Sequence, residues 1–446
     1  MAEAGRPPVT AEPHHRAAGR GGVDAVTLLS LLFVALFAIP SRLIFAPLGA
    51  SGTPAQVLSL GLGTWWAAIK LAGGDPDPRH RDVIRRAMLM FIAAILISYL
   101  TAATRPISSA ELRQADTGLV LALGWLGLLL FTGSGLTSMA ALTTTLRRLV
   151  LSGGLLASLG ILQFVTKRAF TNYIQIPGLA TNNTLVSVVG RGGLTRPAGT
   201  ALHPIEFGAV LTMTLPIALH FAMHDRTRNA FRRWFPVAVI AVAVPISISR
   251  SAIVSTVVVL AVVLPSWSRP ARRLAYVSLI GLMGLLFVAI PGLLGTLAGL
   301  FTGISADSSA QSRTDSYALA GAFISRRPIF GRGFLTFLPS YRILDNQYLG
   351  LAIETGIVGV AALLILFLCG MGIGRAIRKR PTCTVASGSL ANSLAASVAS
   401  AAASFALFDA FSFPMAATLI FFMLGCLSAL DRLTWQPATI AADRAA

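Results

Sequence analysis

Three short stretches of this 446-residue chain hold side chains that can move protons or grip anions. The first is YRILDNQYLGLAIETGIVGV, residues 341–360. Asp345 and Asn346 stand at the mouth of an apolar run, and Glu354 lies deeper on about the same helical face. A carboxylate there can accept the proton of an attacking hydroxyl. It can equally cap the helix that follows, and Glu354 suits a buried partner for a neighbouring arginine.

The second stretch is GRGGLTRPAGTALHPIEFGA, residues 190–209. It offers Arg191, Arg196 fixed before Pro197, and His203 at the start of another apolar run. Glu206 falls in that run's first turn, where an acid suits the positive end of a helix. The third, PISISRSAIVS (245–255), sets Arg250 between two short apolar segments with no room for a loop. An arginine at membrane depth costs roughly 2.5–3.5 kcal/mol unless water or an anion meets it. A guanidinium grips phosphate oxygens in bidentate fashion, so Arg250 reads as an anion clamp or as a side chain reaching for the interface. Arg313, Arg332 and Arg342 are further arginines expected on the same side.

The elements that must hold these groups are membrane helices. Of the residues, 55% are hydrophobic and only 12% charged, with a mean hydropathy of +0.74. A soluble chain carries about twice that charge. Apolar runs of spanning length recur at about 26–46, 53–71, 87–104, 117–133, 149–165, 204–222, 235–249, 251–266, 274–292, 346–369, 386–408 and 413–430. The expected class is therefore an all-α polytopic membrane protein with about 12 transmembrane helices.

The formal net charge of +19 could point to nucleic acid, but its distribution does not. Most Lys and Arg fall in alternate connections, as in RHRDVIRR (79–86), RTRNAFRR (226–233), RPARR (269–273) and RAIRKR (375–380). That pattern makes those connections and both termini cytoplasmic, with no nucleic-acid partner implied. Residues 1–25 read as a disordered cytoplasmic N-terminus, 26–430 as the membrane domain and 431–446 as a cytoplasmic tail. Two larger loops, about 166–203 and 293–345, then lie outside with every group singled out above. Within the second, Tyr317, Leu319, Ala320 and Phe323 form the apolar face of an amphipathic stretch expected against the membrane. Cys369, Cys383 and Cys426 show no metal spacing. PIFGRGFLTF (328–337) carries Gly-x-Gly but opens no dinucleotide-binding unit, and its glycines suit a turn back toward the membrane.

Taken in order, RPAGTALHP (196–204), SRS (249–251), PIFGRGF (328–334) and DNQYLGLAIETGIVG (345–359) resemble the O-antigen ligase and polymerase family. The resemblance implies a multi-pass glycosyltransferase in the inner, cytoplasmic membrane. Its donor is a glycan on a polyprenyl diphosphate, its acceptor a glycan or a lipid, and the reaction runs on the outer face. It implies Asp345 or His203 as proton acceptor. Arg191, Arg196, Arg250, Arg313, Arg332, Asn346 and Glu354 then bind diphosphate or sugar, with no metal and no cofactor. Family ligases commonly carry His-Asn where this chain has Asp345-Asn346, which fits a polymerase-like or divergent branch, or shifts the proton to His203. A lipid-linked glycan flippase or polysaccharide exporter is the alternative from another class. A glycan polymerase of the cell-wall elongation and division type is a further rival.

Overall fold

The structure is a computed structural model, and it describes residues 24–73, 82–182, 189–191, 193–302 and 308–435. Fourteen α-helices carry it: α1 Ala25–Phe33, α2 Pro54–Leu71, α3 Val83–Ala103, α4 Ser109–Gly135, α5 Met139–Thr166, α6 Pro204–His224, α7 Ala230–Ile246, α8 Arg250–Val263, α9 Arg269–Ala289, α10 Leu293–Thr302, α11 Ser308–Ile324, α12 Gln347–Arg378, α13 Val385–Phe405 and α14 Pro414–Thr434. Each of the twelve expected spans overlaps one of them. Seven (α3, α4, α5, α6, α9, α12 and α14) are long and apolar enough to cross a membrane.

Local chemistry sets the helix ends. Thr53, Asp82, Ser108, Ser138, Asn229 and Thr384 each accept a backbone N–H two or three residues inside the helix that follows. Proline opens α2, α6 and α14, where the missing N–H has no partner to lose. The core runs through α6 and α14, whose apolar windows are 89% and 94% buried, with α13 beside them. By contrast α9 is 6% buried and lies at the periphery.

Three departures from the sequence reading have physical causes. The first expected span stops early: α1 runs through a π-helical stretch to Ala38, and Leu43–Ile44 (β1) pairs antiparallel with Ala180–Thr181 (β2). The amphipathic face of α11 turns partly inward. Ala320 packs with Leu344 and Ile353, and Phe323 packs edge-on against Phe337 and tilted against Tyr341, while Tyr317 stays 56% exposed.

The third departure is in α12, which is broken at Gly356 (φ 64°, ψ −167°). The segment 328–333 takes over the backbone bonds this break leaves open. Ile357 N–H donates to Pro328 O at 2.9 Å and Val358 N–H to Ile329 O at 3.2 Å. In return Ile353 O and Glu354 O accept from the N–H groups of Arg332 (3.1 Å) and Gly333 (2.9 Å). A non-helical backbone at membrane depth is tolerated only when satisfied in this way. The glycines of PIFGRGF are thereby explained. A Cβ on Gly331 (φ 66°) would lie 2.3 Å from Glu354 C and O, and one on Gly356 would lie 2.3 Å from Ile329 O.

The bundle has two distinct ends. One gathers Arg147 with Asp225, Arg380 with Asp431, Ser428 with Asp82, and Arg432 with Leu136 O. The other gathers Ser41 with Thr200, Arg196 with Ser247, Gln347 with Phe408 and Glu206 with Met415.

Candidate functional site

The second end is where the sequence-selected groups meet. Asn346 caps α12 by accepting Leu349 N–H at 3.1 Å, which leaves Asp345 as the last residue before the cap. His203 caps α6, its Nδ1 accepting Ile205 N–H at 3.2 Å. What joins them is the turn between α13 and α14, residues 406–413. Gln347 N–H donates to Phe408 O at 3.2 Å, and its side-chain oxygen accepts Phe411 N–H at 2.7 Å. From the other side, His203 faces the Phe413 ring at 6.3 Å, and Phe413 packs edge-on against Phe408 at 5.4 Å. One turn therefore bonds Gln347, two residues after Asp345, and packs beside His203.

Glu206 fixes the same region from below. Wholly buried, it accepts N–H groups from Leu202 (2.8 Å), Met415 (2.6 Å) and Ala416 (3.4 Å). A single carboxylate thus ties together the N-terminal ends of α6 and α14, as its place in the first turn suggested.

The described arginines differ in what they bond. Arg196, on the hairpin of Val189–Arg191 (β3) and Leu194–Arg196 (β4), is buried and donates to Ser247 O at 3.0 Å. That carbonyl belongs to the three-residue link between α7 and α8. Its middle residue, Ile248, is held at φ 47° while completely buried. A β-branched residue in the left-handed region is strained by about 1–3 kcal/mol, and such strain clusters at functional sites. Arg250 follows two residues later as the first residue of α8, half-buried, donating to Leu300 O of α10 at 2.7 Å. A cation at the positive end of a helix is unfavourable unless an anion joins it.

Arg332 is held differently. It pairs with buried Glu111 at the head of α4, which also binds Arg105 at 3.0 Å and Tyr341 Oη at 2.9 Å. Its guanidinium lies over the Phe323 and Tyr341 rings, at 4.9 and 5.3 Å. Glu354 is buried, with Phe337 N–H 3.4 Å from its carboxylate. Both residues anchor the 328–341 segment. Arg342 is half-buried in the turn before Asp345. Arg191 lies on β3 and Arg313 on α11, and their side chains fall outside the described residues.

Charge is tuned on both sides of the mouth. Burial, and then the positive charge of Arg196, push the His203 imidazole down to about 4. Asp409, in the 406–413 turn, is pushed up to about 6 by burial, and the nearby Asp345 adds to the rise. His203 is therefore neutral at pH 7, with Nδ1 occupied by the Ile205 N–H and the ring proton on Nε2. Asp409 escaped the sequence reading, because FDAFSF sits in a short link between spans; its one acid was the available signal. Arg42 was also missed: buried at the end of α1, it donates to Thr171 O, Asn172 O and Ile174 O and pins the first large loop. Among the described residues no three of His, Cys, Asp and Glu gather as a metal-holding group.

Residues 235–364 match the family model described as O-antigen ligase. The resemblance drawn from the motifs is borne out over this segment, which includes Arg250, Arg332, Asp345, Asn346 and Glu354 and leaves out Arg196 and His203. No curated protein sequence matches the chain. The family match and the apolar helices together support a multi-pass membrane enzyme of polysaccharide biosynthesis.

Proposed function

We propose that this chain, O-antigen ligase-like over residues 235–364, is a glycosyltransferase of the inner membrane. It moves or polymerises a glycan from a polyprenyl-diphosphate carrier onto an acceptor hydroxyl at the outer face. The observation that supports this reading is the single turn 406–413, which bonds Gln347, two residues after Asp345, and sets the Phe413 ring beside His203. Arg196 lies close enough for its charge to act on His203 and bonds Ser247 O, three residues before Arg250.

The acceptor oxygen attacks the anomeric carbon as the bond from that carbon to the diphosphate oxygen breaks. The electron pair leaves on the diphosphate, and Arg196 and Arg250 stabilise the growing charge. Asp345 takes the hydroxyl proton, with Asn346 and the α12 cap holding it in register. Arg332 and Glu354 position the segment that closes the break in α12.

The test is transfer by the purified protein in liposomes, with a polyprenyl-diphosphate-linked glycan as donor. Asp345→Asn keeps the size and leaves the Asn346 cap in place but removes the basic oxygen, so turnover falls by roughly 10²–10⁴ while donor binding holds. Asp345→His restores part of it, and His203→Ala costs less. Near-normal turnover in Asp345→Asn with a dead His203→Ala transfers the proton to the histidine. Indifference to both changes rejects the ligase reading and favours the exporter.

A further inference from the structure

The opposite, basic end of the bundle carries a cleft that the transfer reaction does not use. It lies where α5, α6 and α7 converge and has a volume of about 480 Å³. Four guanidinium groups line it, from Arg147, Arg228, Arg232 and Arg233, against the single carboxylate of Asp225. Burial opposes ionisation of Asp225, but hydrogen bonds from Thr227 and Arg147 hold it below the ordinary carboxylate range. The cleft thus carries a surplus of about three positive charges.

That surplus is only partly satisfied from within. Arg147 Nη2 reaches Asp225 at 2.7 Å, and Arg233 donates to Ala222 O. Arg228 stands 4.0 Å from Asp225, and Arg232 is exposed. The buried Nε of Arg147 has no hydrogen-bond partner among the described residues.

The rest of the lining is apolar. Leu151 and Phe231 are 49% and 72% exposed at its rim. Leu155 and Leu162 continue from Leu151 along one exposed side of α5, away from the cleft. A free phosphate ion makes no use of such a wall, whereas a phospholipid fits both parts.

We propose that this cleft is a binding site for an anionic phospholipid of the adjoining leaflet. Its phosphate sits among Arg147, Arg228 and Arg232, and an acyl chain lies along the α5 leucines. Guanidinium groups suit phosphate oxygens, and basic pockets between membrane helices hold anionic headgroups.

Native mass spectrometry of the full chain in detergent, titrated with phosphatidylglycerol, phosphatidylcholine or inorganic phosphate, tests this. Phosphatidylglycerol is retained by the wild type, and phosphatidylcholine is not. The exposed pair Arg228→Gln/Arg232→Gln lowers that retention about tenfold or more. Arg269→Gln/Arg273→Gln removes the same charge from the same end outside the cleft and leaves retention unchanged. Equal retention by the cleft variant, equal loss in the control pair, or equal retention of phosphatidylcholine overturns the site. Displacement of the lipid by inorganic phosphate assigns the cleft to a soluble anion and overturns the lipid reading.

Discussion

Gly331→Ala is a one-carbon perturbation with a large expected effect. The new Cβ would lie 2.3 Å from the carbonyl carbon and oxygen of Glu354 and 2.5 Å from Thr355 N, all backbone atoms that cannot swing aside. The left-handed backbone at φ 66° adds about 1–2 kcal/mol for any L side chain. Relief requires the 328–333 segment to lift from α12 by about 1 Å, since ordinary carbon contacts lie near 3.5–4.0 Å. The bonds of Arg332 N–H to Ile353 O and Gly333 N–H to Glu354 O, at 3.1 and 2.9 Å, then stretch beyond useful range. Each contributes about 0.5–1.5 kcal/mol, so the total is roughly 2–5 kcal/mol. Thermal unfolding in detergent, followed by tryptophan fluorescence, should show a melting temperature lower by roughly 2–5 °C. Gly372→Ala lies in the same helix with open space around it and should hold or raise that temperature through helix propensity. Co-melting of Gly331→Ala with the wild type would refute the docking of this segment on the broken helix.

Arg196→Ala and Arg250→Ala should each lower transfer with insertion and expression unchanged. Lysine should restore only part of it, and chelators should leave turnover as it was; a magnesium-dependent recovery would reject the metal-free mechanism. The melting temperature of the wild type should fall as pH drops from about 6.5 to about 4, because the unfolded histidine takes up a proton that folded His203 refuses. His203→Asn keeps the cap without titrating, so its melting curve should lack that component. Reporters fused after residues 80, 229, 271 and 377 should read cytoplasmic, and those near 185 and 310 exterior; an exterior fusion reading inside would separate the site groups onto two faces.

The sequence displayed the apolar rhythm of the helices clearly, because a membrane leaves few ways to satisfy a backbone. It also displayed the four motifs, each carried by a proline, a glycine or a charge that is conspicuous among aliphatic residues. What it hid was contact across long separations. Glu111 meets Arg332 over more than two hundred positions, and nothing local in either stretch announces the pair. For the same reason Arg332 resembled Arg196 and Arg250 in sequence although it alone of the three is shown paired with Glu111. The inward turn of Phe323 was equally hidden, since an apolar helix face suits lipid and protein alike. Asp409 was hidden by brevity: a link of a few residues gives no pattern from which to read burial.

The break in α12 also has a consequence for how the chain is made. Its first part, Gln347 to Thr355, is about 13 Å long and cannot cross a bilayer alone. The groups that close the break come from 328–333, which rests on Thr101 and Arg105, and Ser98 donates to Glu354 O at the break itself; all three are synthesised more than two hundred residues earlier. The platform at the tops of α3 and α4 must therefore stand before α12 leaves the translocation machinery. Chains whose early helices assemble slowly would present an open backbone to lipid at this point, and quality-control proteases would meet them there.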